Sequence, residues 1–152
     1  METKFNFNSA ICTDRLQSER LLALGLKKET ADMSHRYSNI GGNYEESVFP
    51  YSSILALKER MNKPILGRGW EELYGRDIPA WSLHRLWDIL PKDVEVDDDC
   101  YITSHLEGEK AIVYHDYGSH YYNFDKNNIY DNIVNCIEWL IKEGYFPKEY
   151  LV

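Results

Sequence analysis

The chain has 152 residues, the common size of one domain. Its formal net charge of −8 leaves too little cationic surface for a dedicated nucleic-acid binder, which must meet phosphates with Lys and Arg. Aromatics at 14%, with twelve Tyr and four Trp, exclude a disordered chain and predict one self-sufficient core over residues 1–152.

In chain order, the first 14 residues lack the apolar core of a signal peptide, and no apolar run reaches the length of a membrane span. The expected location is therefore cytoplasmic, away from membranes. Residues 14–24 read as a helix: Thr13 or Asp14 can accept from the free N–H groups of the first turn, and Gly25 can close the last. A short helical turn over residues 29–33 follows. Residues 34–47, with Gly41, Gly42 and two Asn, read as a long surface loop. Ile54, Leu57 and Met61 predict a second helix over residues 51–61.

Ser82 is a natural N-cap, and Pro79 and Pro91 bracket the helix it opens. Leu83, Leu86, Trp87 and Leu90 form one apolar stripe whose burial is worth roughly 6–12 kcal/mol. From about residue 94 to 124 the chemistry changes to β-branched and aromatic. Glu107-Gly108-Glu109 and Gly118-Ser119 punctuate this stretch. Short strands joined by tight turns are antiparallel, because parallel neighbours need long crossovers, so the expectation is a meander of three to four strands. A closing helix over residues 130–143, capped by Asn127 or Asn128 and stopped by Gly144, supplies an apolar face to cover it. The fold class is α+β: N-terminal and central helices, an antiparallel meander, and an amphipathic C-terminal helix packed on the sheet.

Three segments, LLALGLKKETADM, IPAWSLHRLWDILP and DNIVNCIEWLIKEGYF, resemble a family of small proteins from gut Bacteroidetes and their phages or prophages. The resemblance spans about residues 12–146. It implies a phage-like origin and a cytoplasmic location, and it brings no functional residues with it.

For chemistry, the histidines come first. His105, His115 and His120 fall in the strand region beside Asp116, yet no H-x-H or H-E-x-x-H spacing fixes a pair. Whether His105 and His115 share a face depends on the length of the turn at residues 107–109. They read as scattered histidines, with no metal and no cofactor expected. Cys12, Cys100 and Cys136 are widely spaced, which fits neither a disulfide framework nor a thiolate cage. Cys100, His115 and Asp116 can be named as nucleophile, base and orienter, but so can a trio in any chain of this composition. Asp97-Asp98-Asp99 lacks the glycine of a calcium loop, and Gly67-Arg68-Gly69 lacks the spacing of a phosphate loop. Catalytic residues are therefore not assigned.

The aromatics are the distinctive feature, because Trp and Tyr carry interface hot spots. Trp87 and Trp139 sit on apolar stripes and belong to the core. Trp70, Trp81, Tyr121 and Tyr122 remain as binding candidates. The sequence reads as a non-enzymatic protein-interaction or phage accessory module, binding a protein or itself. One alternative is a small hydrolase or metal-dependent enzyme using His and Asp on the strands. The other is an acidic mimic of nucleic acid.

Overall fold

A computed structural model describes residues 10–38, 41–50 and 75–152. The chain begins with α1 (Arg15–Ala23) and a 3-10 turn (Lys28–Thr30), then β1 (Met33–Ser38), β2 (Asn43–Pro50) and β3 (Ile78–Ala80). Next come α2 (Leu83–Ile89), β4 (Asp93–Asp97), β5 (Cys100–Glu107), β6 (Ala111–His115), β7 (Tyr121–Phe124) and α3 (Ile129–Lys142). A second 3-10 turn (Lys148–Tyr150) closes the chain. The architecture is α+β, with two antiparallel sheets of order β2-β1-β3 and β4-β5-β6-β7.

The helices form where local chemistry satisfies their ends. Asp14 accepts from the Gln17 N–H at 2.7 Å while Gln17 Oε1 accepts from the Asp14 N–H at 2.9 Å, a reciprocal capping box that fixes the start of α1. Gly25, at φ +100°, takes the left-handed position after its end. Ser82 caps α2 and Asn128 caps α3, the latter accepting from the Asp131 N–H at 2.9 Å. Gly144, at φ +79°, stops α3.

In the meander Val94 lies opposite Ile102, Ser104 opposite Tyr114, and Tyr114 opposite Tyr122, with one register shift in β4 between Glu95 and Asp97. Alternation then sends Val94, Ile102, Ile112, Tyr114, Tyr122 and Phe124 to one face, against α3. Trp139 of α3 lies against that face, with its ring centroid 4.6 Å from Tyr122, 5.7 Å from Phe124 and 5.9 Å from Tyr114. Ile133, Ile137 and Leu140 are fully buried beside it, and Leu21, Leu86 and Trp81 join them in one contiguous core. Asn132 secures the helix to the sheet: its amide donates to the Lys110 and Asn127 carbonyls, both at 2.9 Å, and accepts from the Asn127 N–H at 3.0 Å.

The segment around Trp81 ties the end of β3 to the chain on either side of α1. Its indole N–H donates to Thr30 Oγ1 at 2.9 Å, its backbone N–H donates to Thr13 Oγ1 at 3.1 Å, and the Ser82 N–H donates to Asp32 Oδ1 at 2.8 Å. The C-terminus returns to the start, where Leu151 bridges Leu26 and the Lys27 N–H donates to the Tyr150 carbonyl at 2.9 Å.

Three expectations are corrected. The segment expected as a loop at residues 34–47 contains most of a hairpin, β1 with β2, in which Tyr37 pairs with Tyr44. Its strands are polar and its glycines mark the turn between them, so turn residues were extended over the strands on either side. β3 was not expected; it is three residues long with Pro79 inside, and it pairs with β1 at the edge of its sheet, where a missing N–H is tolerated. The helical turn expected at residues 29–33 is a 3-10 turn over Lys28–Thr30, and Met33 already belongs to β1. The helix expected at residues 51–61 lies outside the described residues.

Candidate functional site

In a meander, alternate turns lie at the same end of the sheet. The β4–β5 turn (residues 98–99) and the β6–β7 turn (residues 116–120) are therefore neighbours, and between them they hold the one concentration of chemically capable side chains found among the described residues. Each turn has a non-glycine residue in the left-handed region, Asp99 at φ 59° and Tyr117 at φ 61°.

Asp116 organises the second turn. Its Oδ1 accepts from the Gly118 N–H at 2.8 Å and the His120 N–H at 3.0 Å, while its own N–H donates to the His120 carbonyl at 3.2 Å. That leaves Oδ2 for side chains. Oδ2 lies 2.9 Å from His120 Nδ1 and 3.7 Å from Cys100 Sγ. Cys100, the first residue of β5, also lies 3.8 Å from His120 Nδ1. On the far side of the imidazole, Nε2 lies 3.3 Å from Asp97 Oδ2. Asp97 is the cross-strand partner of Cys100, so the closure of the first hairpin delivers both. The Asp116 and His120 side chains are largely covered, and Cys100 is half-buried.

The electrostatics follow from that geometry. The hydrogen bond from His120, joined by the backbone N–H groups of His120 and Gly118, holds Asp116 well below the usual carboxylate range. The same bond raises His120 above its ordinary value, against the effect of partial burial and with help from the charges of Asp116 and Asp97. Burial, followed by the charge of Asp116 and the hydrogen bond to it, raises Cys100. A thiol held protonated beside two carboxylates is a poor nucleophile. His120 cannot relieve it as a base, because Nδ1 already faces Asp116 and Nε2 faces Asp97. The arrangement therefore does not suit Cys-His acyl chemistry. It does gather one sulfur, one nitrogen and one oxygen donor within 4.8 Å of one another.

The other two histidines go elsewhere. His115 lies opposite Thr103 and His105 opposite Val113, so both stand on the outer face of the sheet, away from α3. Their rings stack with centroids 4.6 Å apart, and Tyr117 packs edge-on against His115 at 4.2 Å. Tyr121, the cross-strand partner of His115, lies 6.2 Å from it ring to ring. Tyr101 shares this outer face two positions before Thr103. Tyr101, Tyr117 and Tyr121 are 54%, 84% and 58% exposed, which makes this end of the sheet an aromatic surface.

The binding candidates from sequence separate accordingly. Tyr121 lies on the exposed face. Tyr122 points the other way and is packed on Trp139. Trp81 is fully buried and offers nothing to a partner, because its flanking strand is buried at every position and its N–H is committed to Thr30. Trp70 lies outside the described residues. Of the trio Cys100, His115 and Asp116, the histidine that joins the other two is His120. Its position in a turn rather than a strand hides the link from any spacing motif. The usable signal was topological: Asp97 to Cys100 and Asp116 to His120 flank turns at the same end of one meander.

Among the described residues, no helix is long and apolar enough to cross a membrane. No family model, no curated protein and no solved structure matches this chain.

Proposed function

We propose that the domain is a non-enzymatic protein-interaction module, a phage-type accessory factor by the resemblance described above, which docks a polypeptide on the tyrosine-bearing end of its outer sheet face. The observation that carries this reading is the exposure of Tyr101, Tyr117 and Tyr121 on one surface. Tyrosine gives large contact area at low entropic cost and recurs at binding hot spots. The edges of the sheet differ in a way that supports the same reading. β4 carries Asp93, Glu95 and Asp97, charges of the kind that block strand addition, whereas β7 reads Tyr-Tyr-Asn-Phe with no charge. Among the described residues β7 pairs only with β6, and an extended segment adding along its other side would seat side chains on the tyrosines.

The test is sedimentation velocity of the purified chain over a range of concentrations, together with affinity capture from the cell that makes it. Each is repeated with the Tyr117→Ser, Tyr121→Ser double variant. Self-association, or a single stoichiometric partner, that the double variant loses by tenfold or more while keeping its circular dichroism spectrum supports the reading. A monomer whose captured proteins do not change with the double substitution overturns it.

A further inference from the structure

We infer that Cys100, Asp116 and His120 form a three-ligand site for a divalent transition metal of the zinc class, with Asp97 as the outer carboxylate that orients His120. This goes beyond the docking surface and does not depend on it.

The first argument is distance. Zinc binds sulfur at about 2.3 Å and nitrogen or oxygen at about 2.0–2.2 Å, so the donor-to-donor edges of a tetrahedral site run about 3.3–3.7 Å. Cys100 Sγ to Asp116 Oδ2 is 3.7 Å and Cys100 Sγ to His120 Nδ1 is 3.8 Å. The third edge, Asp116 Oδ2 to His120 Nδ1, is 2.9 Å. It is a hydrogen bond now, and it opens by about half an ångström when a cation replaces the shared proton.

The second argument is orientation. Asp116 Oδ1 is saturated by two backbone N–H groups, so Oδ2 is the oxygen presented to Cys100 and His120. His120 offers Nδ1 to the same point, and its Nε2 faces Asp97 Oδ2 at 3.3 Å. An imidazole held by a carboxylate at its second nitrogen has its tautomer and ring plane fixed, the outer-shell arrangement that metal-binding histidines use. The three ligands are set by main-chain features, Cys100 by its cross-strand pair and Asp116 and His120 by their shared turn, so little of them must be ordered on binding.

The third argument is donor chemistry. A thiolate, an imidazole and a carboxylate suit borderline cations, whereas calcium and magnesium require oxygen ligands throughout. Binding breaks the Cys100 S–H bond and removes the proton shared by Asp116 and His120. Both protons leave to solvent, and the Nε2–H stays with Asp97. Three protein ligands leave a fourth position for water, the composition of an open site rather than a closed structural one.

The test titrates cobalt(II) and zinc(II) into the reduced, chelator-treated full chain. One cobalt per chain is expected, with a near-ultraviolet thiolate-to-cobalt charge-transfer band and visible bands of tetrahedral intensity, displaced by zinc. Cys100→Ser should abolish the charge-transfer band, and Asp97→Asn should weaken zinc affinity about ten- to hundredfold while leaving that band in place. His115→Gln should change neither. Magnesium and calcium should not compete. The absence of a charge-transfer band in the wild-type chain, or a band that survives Cys100→Ser, overturns the assignment. Folding of each variant is checked by far-ultraviolet circular dichroism. Because His115→Gln and the tyrosine variants leave the three ligands intact, loss of docking and loss of metal binding are read separately.

Discussion

Asn132 is 1% exposed and makes three hydrogen bonds that tie α3 to the β5–β6 turn and to the chain preceding the helix. Asn132→Leu keeps the number and branching of side-chain heavy atoms and removes all three bonds. The Asn127 N–H and the carbonyls of Asn127 and Lys110 then lose their partner. At about 1 kcal/mol net for each bond, the expected loss is about 2–3 kcal/mol, held to that range because residues 110 and 127 lie near water. Against a total stability of roughly 5–15 kcal/mol that is readily measured as a lower urea midpoint with an unchanged slope. Asn132→Asp makes the argument sharper. It keeps the acceptor for the Asn127 N–H but turns a carboxylate toward two carbonyl oxygens, which raises the carboxyl above its unfolded value. The folded state then holds its proton to higher pH than the unfolded chain does. The deficit relative to wild type is therefore small near pH 4 and grows as the pH rises towards neutrality. A loss below about 0.5 kcal/mol for Asn132→Leu, or an Asn132→Asp deficit that does not change with pH, would refute the assigned hydrogen bonds.

Trp81→Phe removes the fully buried indole N–H from Thr30 and leaves a gap, for an expected cost of about 2–3 kcal/mol in urea denaturation. Thr30→Val in the Trp81→Phe background should cost less than it does alone, by about 0.5–1 kcal/mol, and strict additivity would count against the bond. Cys12 is pushed up to about 11, chiefly by burial and then by Asp32 and Asp14. Its unfolded value lies near 8.5–9, so the unfolded chain releases this proton first and stability falls as the pH climbs from about 9 to 11. The contribution is about 1–2 kcal/mol, and Cys12→Ala should flatten that part of the profile.

The elements that could be read from the sequence are those whose determinants are local. Asp14 with Gln17, Ser82, Asn128 and the two stop glycines at positions 25 and 144 mark helix ends within one turn of chain. The period of Ile133, Ile137 and Leu140 names the face that is buried. The meander was legible because tight turns leave only antiparallel pairing. β1 and β2 were not legible, since strands such as Met33–Ser38 carry Ser, His and Arg where an alternating apolar pattern would announce a strand. What completes their sheet is the pairing of β1 with β3 across more than forty residues, which no short window of sequence contains. Trp81 was misread for a related reason. It precedes its helix and so looked free, but the β3 register and Thr30 carry it inward.

The candidate site shows the same boundary between local and topological information. The types of its residues were visible, and Cys100, Asp116 and the histidines were already of chemical interest. What sequence could not decide was which histidine turns toward which face, because a one-residue change in a turn exchanges the faces of a strand. The register resolves it: with Glu107 opposite Ala111, His105 and His115 share the outer face and stack on each other. His120 is released from strand alternation altogether. It ends a turn whose geometry is imposed by Asp116, and so it can face Cys100 on the next hairpin. The outer face thus carries Tyr101, Tyr117 and Tyr121, and the turn cluster beside it carries Cys100, Asp116 and His120. The first is the surface proposed for docking and the second the site proposed for a cation, and both are built on the same two hairpins.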